Sequence, residues 1–365
     1  MIQTRAVASA PAERVLERPR FSWIYGARTD LVIALCWVPI FAFAHALSIR
    51  HGAANDHLLN DLFGAAFLLS LLHQPLTLAL VYGDKNQFAL RRKLFTWSPV
   101  VAIGLIAVAV GLDLWIIIPI AAVWNVVHTL QQRYGLSRIY GRKSGYGSAR
   151  LDRAILYSWM VVTVLVVGSA TTTLRQLSRV MLDQRNSQAI VDLSGARPYA
   201  LWLLGPAVLV AAGVLLALIR QESEHRAEAN RAKWIYQGSS LLLIASIAFD
   251  PLAGFIAYVA AHAIEYFVVV YKTTQSRYGK AVDRSTFLGR VAHRTAGRLA
   301  FFAAFTAAFF ILDARMRGSI PGRGYDIALY SVGILHFWYD SFIWKLRKPA
   351  VAANFGITAP APTPG

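Results

Sequence analysis

One cysteine in 365 residues and charged side chains at only 15% are the two scarcities that shape this chain. Cys36 alone excludes an intramolecular disulfide and any thiolate cluster for zinc or iron–sulfur. Soluble domains run nearer a quarter charged, so the low figure argues against an ordinary soluble fold. Acidic residues are scarcest, 19 Asp+Glu against 37 Lys+Arg, giving a formal charge of +18. A secretory leader is not expected either. Residues 1–30 carry Arg5, Glu13, Arg14, Glu17, Arg18, Arg20 and Arg28 with no apolar core among them, and read as a cytoplasmic arm.

What fills the chain instead is apolar, 56% of all residues. Uninterrupted apolar runs fall at 31–48, 62–82, 97–111, 114–131, 155–172, 199–219, 235–249, 252–271, 299–312 and 327–344. They predict an all-α, polytopic integral membrane bundle of about ten transmembrane helices. Lys and Arg mark cytoplasmic loops, which gives an independent check. With ten spans and both termini cytoplasmic, 29 of the 37 basic residues lie on the cytoplasmic side and 8 on the other. The +18 is thus chiefly a topology signal, and a nucleic-acid partner is not expected. The chain divides into an arm (1–30), one transmembrane domain (31–348) and an Ala/Pro/Thr/Gly-rich tail (349–365) expected to be disordered. A multi-pass protein of a bacterial inner membrane is the expected setting.

Ionisable groups inside apolar spans are costly and mark functional sites. Of nine histidines, His51, His57, His225 and His293 fall in loops or at interfaces, and His45 near the outer end of the first span. The other four, His73, His128, His262 and His336, lie inside the second, fourth, eighth and tenth spans. Asn125 and Gln132 flank His128, Glu265 follows His262 at i+3, and Asp340 follows His336 at i+4, offsets that share a helix face. All four spans run toward the cytoplasm in the ten-span topology. The next basic residues, Lys85, Arg133, Lys272 and Lys345, lie 12, 5, 10 and 9 positions on. At about 1.5 Å per residue the histidines then share a layer roughly 8–18 Å above the inner interface.

Four imidazoles with two carboxylates and no thiolate form a nitrogen–oxygen ligand set, suited to Fe(II), Zn(II) or Mn(II). His73, His128, His262 and His336 are the expected metal ligands. Glu265 and Asp340 are expected as ligands or as acid/base groups beside the metal. Asn125 and Gln132 are expected to fix the tautomer of a ring nitrogen. An open coordination position would take O₂ or water. Pro75 removes a backbone donor beside His73 and predicts a kink there.

Aromatic–basic segments follow each of these spans, for example Tyr82-Gly83-Asp84-Lys85 with Arg91-Arg92-Lys93, and Trp344-Lys345-Leu346-Arg347-Lys348. They read as an interfacial belt, or as a basic collar for an anionic head group or phosphorylated partner. The repeated His-x-x-x-His boxes of membrane desaturases are absent. So are cytoplasmic aspartate clusters of prenyltransferase type, a His-Glu-x-x-His motif, a Gly-x-Ser-x-Gly elbow and a phosphate-binding P-loop.

Single histidines spread over several apolar spans, with Trp124, His128, Gln132, Tyr134 and Gly135 in a Trp-x-x-x-His-x-x-x-Gln-x-Tyr-Gly pattern, give the chain a resemblance. It resembles the bacterial Brp/Blh-type carotene dioxygenases, and other polytopic bacterial membrane proteins bearing that pattern. The likeness covers most of the chain as architecture and short patches as motif. It implies an iron requirement; no residue role is carried over from it. The combined expectation is a non-haem metal enzyme, oxygenase-like, with iron before zinc or haem as cofactor. Its substrate would be lipid-soluble, an isoprenoid or acyl chain, with an electron-donor protein at the cytoplasmic face. The alternatives are a haem-binding electron carrier, with pairs of these histidines as axial ligands, and an ion- or proton-coupled transporter.

Overall fold

The computed structural model describes residues 21–50, 52–114, 117–170, 193–279, 284–319 and 322–357. Among them there is no strand, and the chain is a helical bundle. The first run is split at Cys36 into α1 (Ala27–Leu35) and α2 (Trp37–Ser48). Next come α3 (Ala53–Tyr82), a short α4 (Lys85–Ala89) and α5 (Arg92–Gly111). They are followed by α6 (Ile117–Ser144), α7 (Ala149–Ser169), α8 (Arg197–Glu224) and α9 (Arg231–Phe249). The remainder is α10 (Pro251–Tyr278), α11 (Phe287–Val291), α12 (Thr295–Ser319), α13 (Gly322–Ile343) and α14 (Pro349–Asn354).

Every apolar run read from the sequence overlaps one of these helices. Among the described residues, seven segments are long and apolar enough to cross a bilayer: α1 with α2, α3, α5, α7, α8, α10 and α12. The other three, α6, α9 and α13, are more polar because they carry buried functional-type side chains. Examples are His128 and Arg133 on α6, Lys233 and Gln237 on α9, and His336 and Asp340 on α13. The first twenty residues of the N-terminal arm, residues 171–192 of the fifth run and the connection after it, and residues 358–365 of the tail lie outside the described residues. So do His51 and Lys280.

Helix α10 is the axle of the bundle. Its apolar window is 78% buried, against 11% for α8 and 6% for α12 at the periphery. The Asp250 side chain caps α10 by accepting from Ala253 N, and Pro251 occupies the first turn, where its missing N–H costs nothing. The other carboxylate oxygen of Asp250 lies 2.8 Å from Nδ1 of His45, which accounts for that histidine. Directly after this cap Gly254 lets α10 fold back against α9. A Cβ there would come 2.5 Å from Ile247 N and 2.6 Å from the Ser246 carbonyl carbon, inside any real contact.

Two apolar layers bracket the middle of the bundle. One joins Ala44 and Leu47 of α2, Phe63 and Ala66 of α3, and Ile256 and Ala260 of α10. The other joins Leu76 of α3 with Tyr266 and Val270 of α10, backed by Phe301 and Phe305 of α12. The polar layer lies between them. Helix α3 continues unbroken through Pro75.

Two expectations are corrected. The tail expected to be disordered from Pro349 begins with α14, and Phe355 just beyond it is 3% exposed, packed with Val351 and Ile24. An apolar Val351/Phe355 pair four residues apart is enough to seat this turn on the bundle. Arg133, counted as an interface marker, is fully buried and ion-paired inside the bundle. The next basic residue on α6 is Arg138, ten positions beyond His128. Arg133 therefore does not mark a membrane interface.

Candidate metal centre

Four helices deliver one imidazole each: His73 from α3, His128 from α6, His262 from α10 and His336 from α13. Their exposures are 0%, 9%, 1% and 0%. One ring nitrogen from each lies within 4.8 Å of the others. The rings form a closed square. Centroid separations run from 4.7 Å (His73–His262, His73–His336) through 4.8 Å (His128–His336) to 5.1 Å (His128–His262). Neighbouring rings stand at 70–90° to one another, so the nitrogen edges, not the faces, converge.

The nitrogen spacing is one at which the four histidines could hold a metal ion. Nε2 of His336 lies 3.1 Å from Nε2 of His73 and 3.1 Å from Nε2 of His128. An imidazole nitrogen carries either one lone pair or one proton in its plane, so it cannot bond well to both neighbours. Two nitrogens each about 2.1 Å from a shared ion lie about 3.0–3.4 Å apart at bond angles between 90° and tetrahedral. The observed spacing matches that range. His262 leaves both ring nitrogens buried with no hydrogen-bond partner, a costly state in a low-dielectric interior that a metal bond would relieve.

Behind this square sits a support layer. Oγ1 of Thr77 donates to Oδ1 of Asp340 at 2.9 Å and lies 2.7 Å from Nδ1 of His336. A carboxylate only accepts, so the single threonine proton goes to Asp340. Nδ1 of His336 must then be the donor to Thr77, and Nε2 is left with its lone pair facing the other histidines. The hydroxyl of Tyr266 donates to the same Oδ1 at 3.0 Å and touches Thr77 Oγ1. The other oxygen, Oδ2 of Asp340, lies 3.8 Å from Nε2 of His128 and 3.9 Å from Nε2 of His336.

Glu265 is placed differently from the expectation. It is fully buried, but its carboxylate is held by the Arg133 guanidinium, by Gln132 Nε2 at 3.2 Å and by Tyr236 OH at 3.4 Å. Arg133 also donates to Ser240 Oγ at 2.9 Å. Glu265 thus neutralises a buried cation rather than joining the square. Gln132 donates to the backbone carbonyl of His262 at 3.2 Å, which fixes the α10 backbone instead of a ring tautomer. Asn125 Oδ1 is buried without a partner, and no hydrogen bond joins it to a histidine.

Thr77, Tyr266 and Arg133 are the residues that sequence reasoning passed over. Thr77 and Tyr266 each stand four positions after a histidine, so the same-face spacing that selected Asp340 applied to them as well. Their uncharged side chains gave no alarm in an apolar span.

The least buried members of the cluster are His128 on α6 and Asp340 on α13, each 9% exposed. Between these helices Trp124 and Phe337 stack at 6.5 Å and 12°, and Phe337 lies 4.6 Å from the His128 ring. Trp124 and Val127 of α6 expose 51% and 37% of their surface beside this stack. Comparison with protein-family models, curated proteins and solved structures gives no match, so geometry alone carries the functional reading.

Proposed function

We propose that this chain is a multi-pass inner-membrane enzyme with a mononuclear non-haem metal centre, iron in the first instance, that oxidises a lipid-soluble substrate. The observation that carries this reading is the approach of three Nε2 atoms at 3.1 Å steps, with the nitrogens of His262 unpartnered beside them. Ten helices cross the membrane in this reading, with both termini cytoplasmic. The polar helices α6, α9 and α13 cross because α10 and the apolar helices shield them from lipid.

His73, His128, His262 and His336 hold the ion, and Asp340 faces it beside His128 and His336. A closed structural zinc site uses four ligands with nothing further to do. The aromatic stack beside His128 and the carboxylate of Asp340 favour instead a centre that works on molecules arriving from the bilayer. Bound iron would supply one-electron chemistry and oxygen activation. The chain's own contribution is to set the His336 tautomer through Thr77, keep water out with its apolar layers, and offer Asp340 as a proton acceptor. The surface there is tryptophan, phenylalanine and valine, which suits an isoprenoid or acyl chain better than a polar metabolite. A haem would require a macrocycle between two axial rings, whereas His336 meets both neighbours edge to edge at 3.1 Å. An oxidase of this kind draws electrons from a donor at the cytoplasmic face.

The test is metal analysis with optical and paramagnetic resonance spectra on the detergent-purified protein, repeated for His128→Ala and His262→Ala. About one iron per chain in the parent and its loss in both variants is the expected result. A metal-free parent, or unchanged metal in both variants, overturns the proposal.

A further inference from the structure

The bundle carries a second cluster of like-charged side chains, remote in kind from the histidine square and used by nothing in it. After α13 the chain makes a tight turn, Lys345-Leu346-Arg347-Lys348, closed by a hydrogen bond from Lys348 N to Lys345 O at 3.0 Å. That turn gathers three cations within four residues. Arg142, from the end of α6, pins it by donating to the Leu346 carbonyl at 2.8 Å. Arg91, just before α5, completes the group. Its guanidinium carbon lies 4.5 Å from the Phe342 ring centroid, and Lys345 Nζ lies 4.7 Å from the same centroid.

None of these five cations makes an ion pair with a carboxylate among the described residues. The acid nearest in sequence to Arg91, Asp84, is already taken by Arg277 at 2.7 Å. Nε of Arg91 is buried with no hydrogen-bond partner. Partial desolvation, and then Arg347, Arg91 and Lys348, push the Lys345 ammonium below the ordinary lysine range. Cations held together by a hydrogen-bonded turn and a shared aromatic ring, with no acid, repel one another unless an anion sits among them.

We propose that Arg91, Arg142, Lys345, Arg347 and Lys348 form a binding site for the phosphate of an anionic phospholipid head group. The position commits the site to a lipid rather than to a free anion. Phe342 belongs to the last turn of α13, and the cations follow it where the apolar segment ends, the level at which head groups lie. Phe342 organises the site by holding one cation from each of two chain segments.

The test uses native mass spectrometry and reconstitution of the full-length protein in nanodiscs of phosphatidylcholine doped with phosphatidylglycerol. Each cation near a head group contributes about 1 kcal/mol, or about fivefold in affinity. The triple variant Lys345→Gln/Arg347→Gln/Lys348→Gln is therefore expected to weaken phosphatidylglycerol retention by about a hundredfold. A control triple with the same charge change, Arg150→Gln/Arg226→Gln/Arg294→Gln, is expected to weaken it by less than tenfold. Phe342→Leu, which alters no charge, is expected to cost several-fold. Thermal unfolding in detergent verifies that each variant is folded. Equal losses in the two triples would reduce the site to generic surface charge and overturn the proposal. Displacement of the lipid by millimolar inorganic phosphate would overturn the lipid assignment in favour of a free-phosphate site.

Discussion

Thr77 decides which nitrogen of His336 carries the proton. Its hydroxyl gives its hydrogen to Asp340 Oδ1 at 2.9 Å and accepts from His336 Nδ1 at 2.7 Å, so Nε2 is left as the electron-pair donor. One uncharged residue on α3 thereby sets the ligand state of a histidine on α13, 259 positions away in sequence.

Replacing Thr77 by Val keeps the shape and removes the hydroxyl. His336 Nδ1 then loses its acceptor and Asp340 one of its donors. Supporting groups of this kind are worth about 10–100-fold in metal affinity. Thr77→Val is expected to lose that much in a competition titration against a chelator, and Thr77→Ser to keep most of it. Equal affinity in the parent and Thr77→Val would show that the tautomer is set elsewhere.

The buried pair Arg133–Glu265 makes a different prediction, because it supports the fold and not the metal. Removing one partner leaves an uncompensated charge in the interior, at a cost of about 3–5 kcal/mol. Glu265→Gln and Arg133→Met should each destabilise the protein strongly, while Arg133→Met/Glu265→Leu together recover much of the loss. Protein of either kind that remains folded should still bind metal at the parent stoichiometry. Loss of metal from folded Glu265→Gln would instead return Glu265 to the ligand set.

Much of this was legible because an apolar background makes a polar residue conspicuous. The helices follow from uninterrupted runs, and His73, His128, His262 and His336 stood out as the histidines within them. Asp340 was found by its i+4 offset from His336. What was hidden is which charge pairs with which. Arg133 looked like the first residue of a cytoplasmic loop, since an arginine at the end of an apolar run reads the same whether it snorkels outward or turns inward. Its true partner lies 132 residues away on α10, a relation fixed by packing and invisible to local spacing. Glu265 was misplaced for the same reason. The α14 turn was missed because Ala, Pro and Thr around Val351 and Phe355 gave a composition typical of a free tail.

The hairpin between α9 and α10 sets the height of His262, and Gly254 is its tightest point. A methyl group there would meet the backbone of Ser246 and Ile247, which cannot move aside as a side chain can. Gly254→Ala is expected to cost about 1–3 kcal/mol, the usual range for an overpacked site. Chemical unfolding in detergent measures that cost, and metal titration of the folded fraction should show weaker binding, because α10 is displaced along with its histidine. A variant as stable as the parent would mean that the hairpin is looser than this packing.

In the proposed centre, Asp340 separates holding a metal from using it. Its Oδ2 stands 3.8 and 3.9 Å from two of the Nε2 atoms, wider than the 3.1 Å between those nitrogens, so in the proposed centre the four imidazoles would make the ligand set without it. Asp340→Asn keeps the size of the side chain, and its amide oxygen still accepts from Thr77 and Tyr266. Only the negative charge facing the centre is lost. Metal content in this variant should therefore stay near the parent value, with affinity changed by less than about tenfold. His336→Ala, by contrast, should lose bound metal outright. Turnover of a lipid-soluble substrate should fall by about 10²–10⁴-fold in Asp340→Asn, the range that a positioned acid or base contributes. Metal loss in Asp340→Asn as complete as in His336→Ala would make the carboxylate a fifth ligand. Full turnover with full metal would remove it from the chemistry altogether.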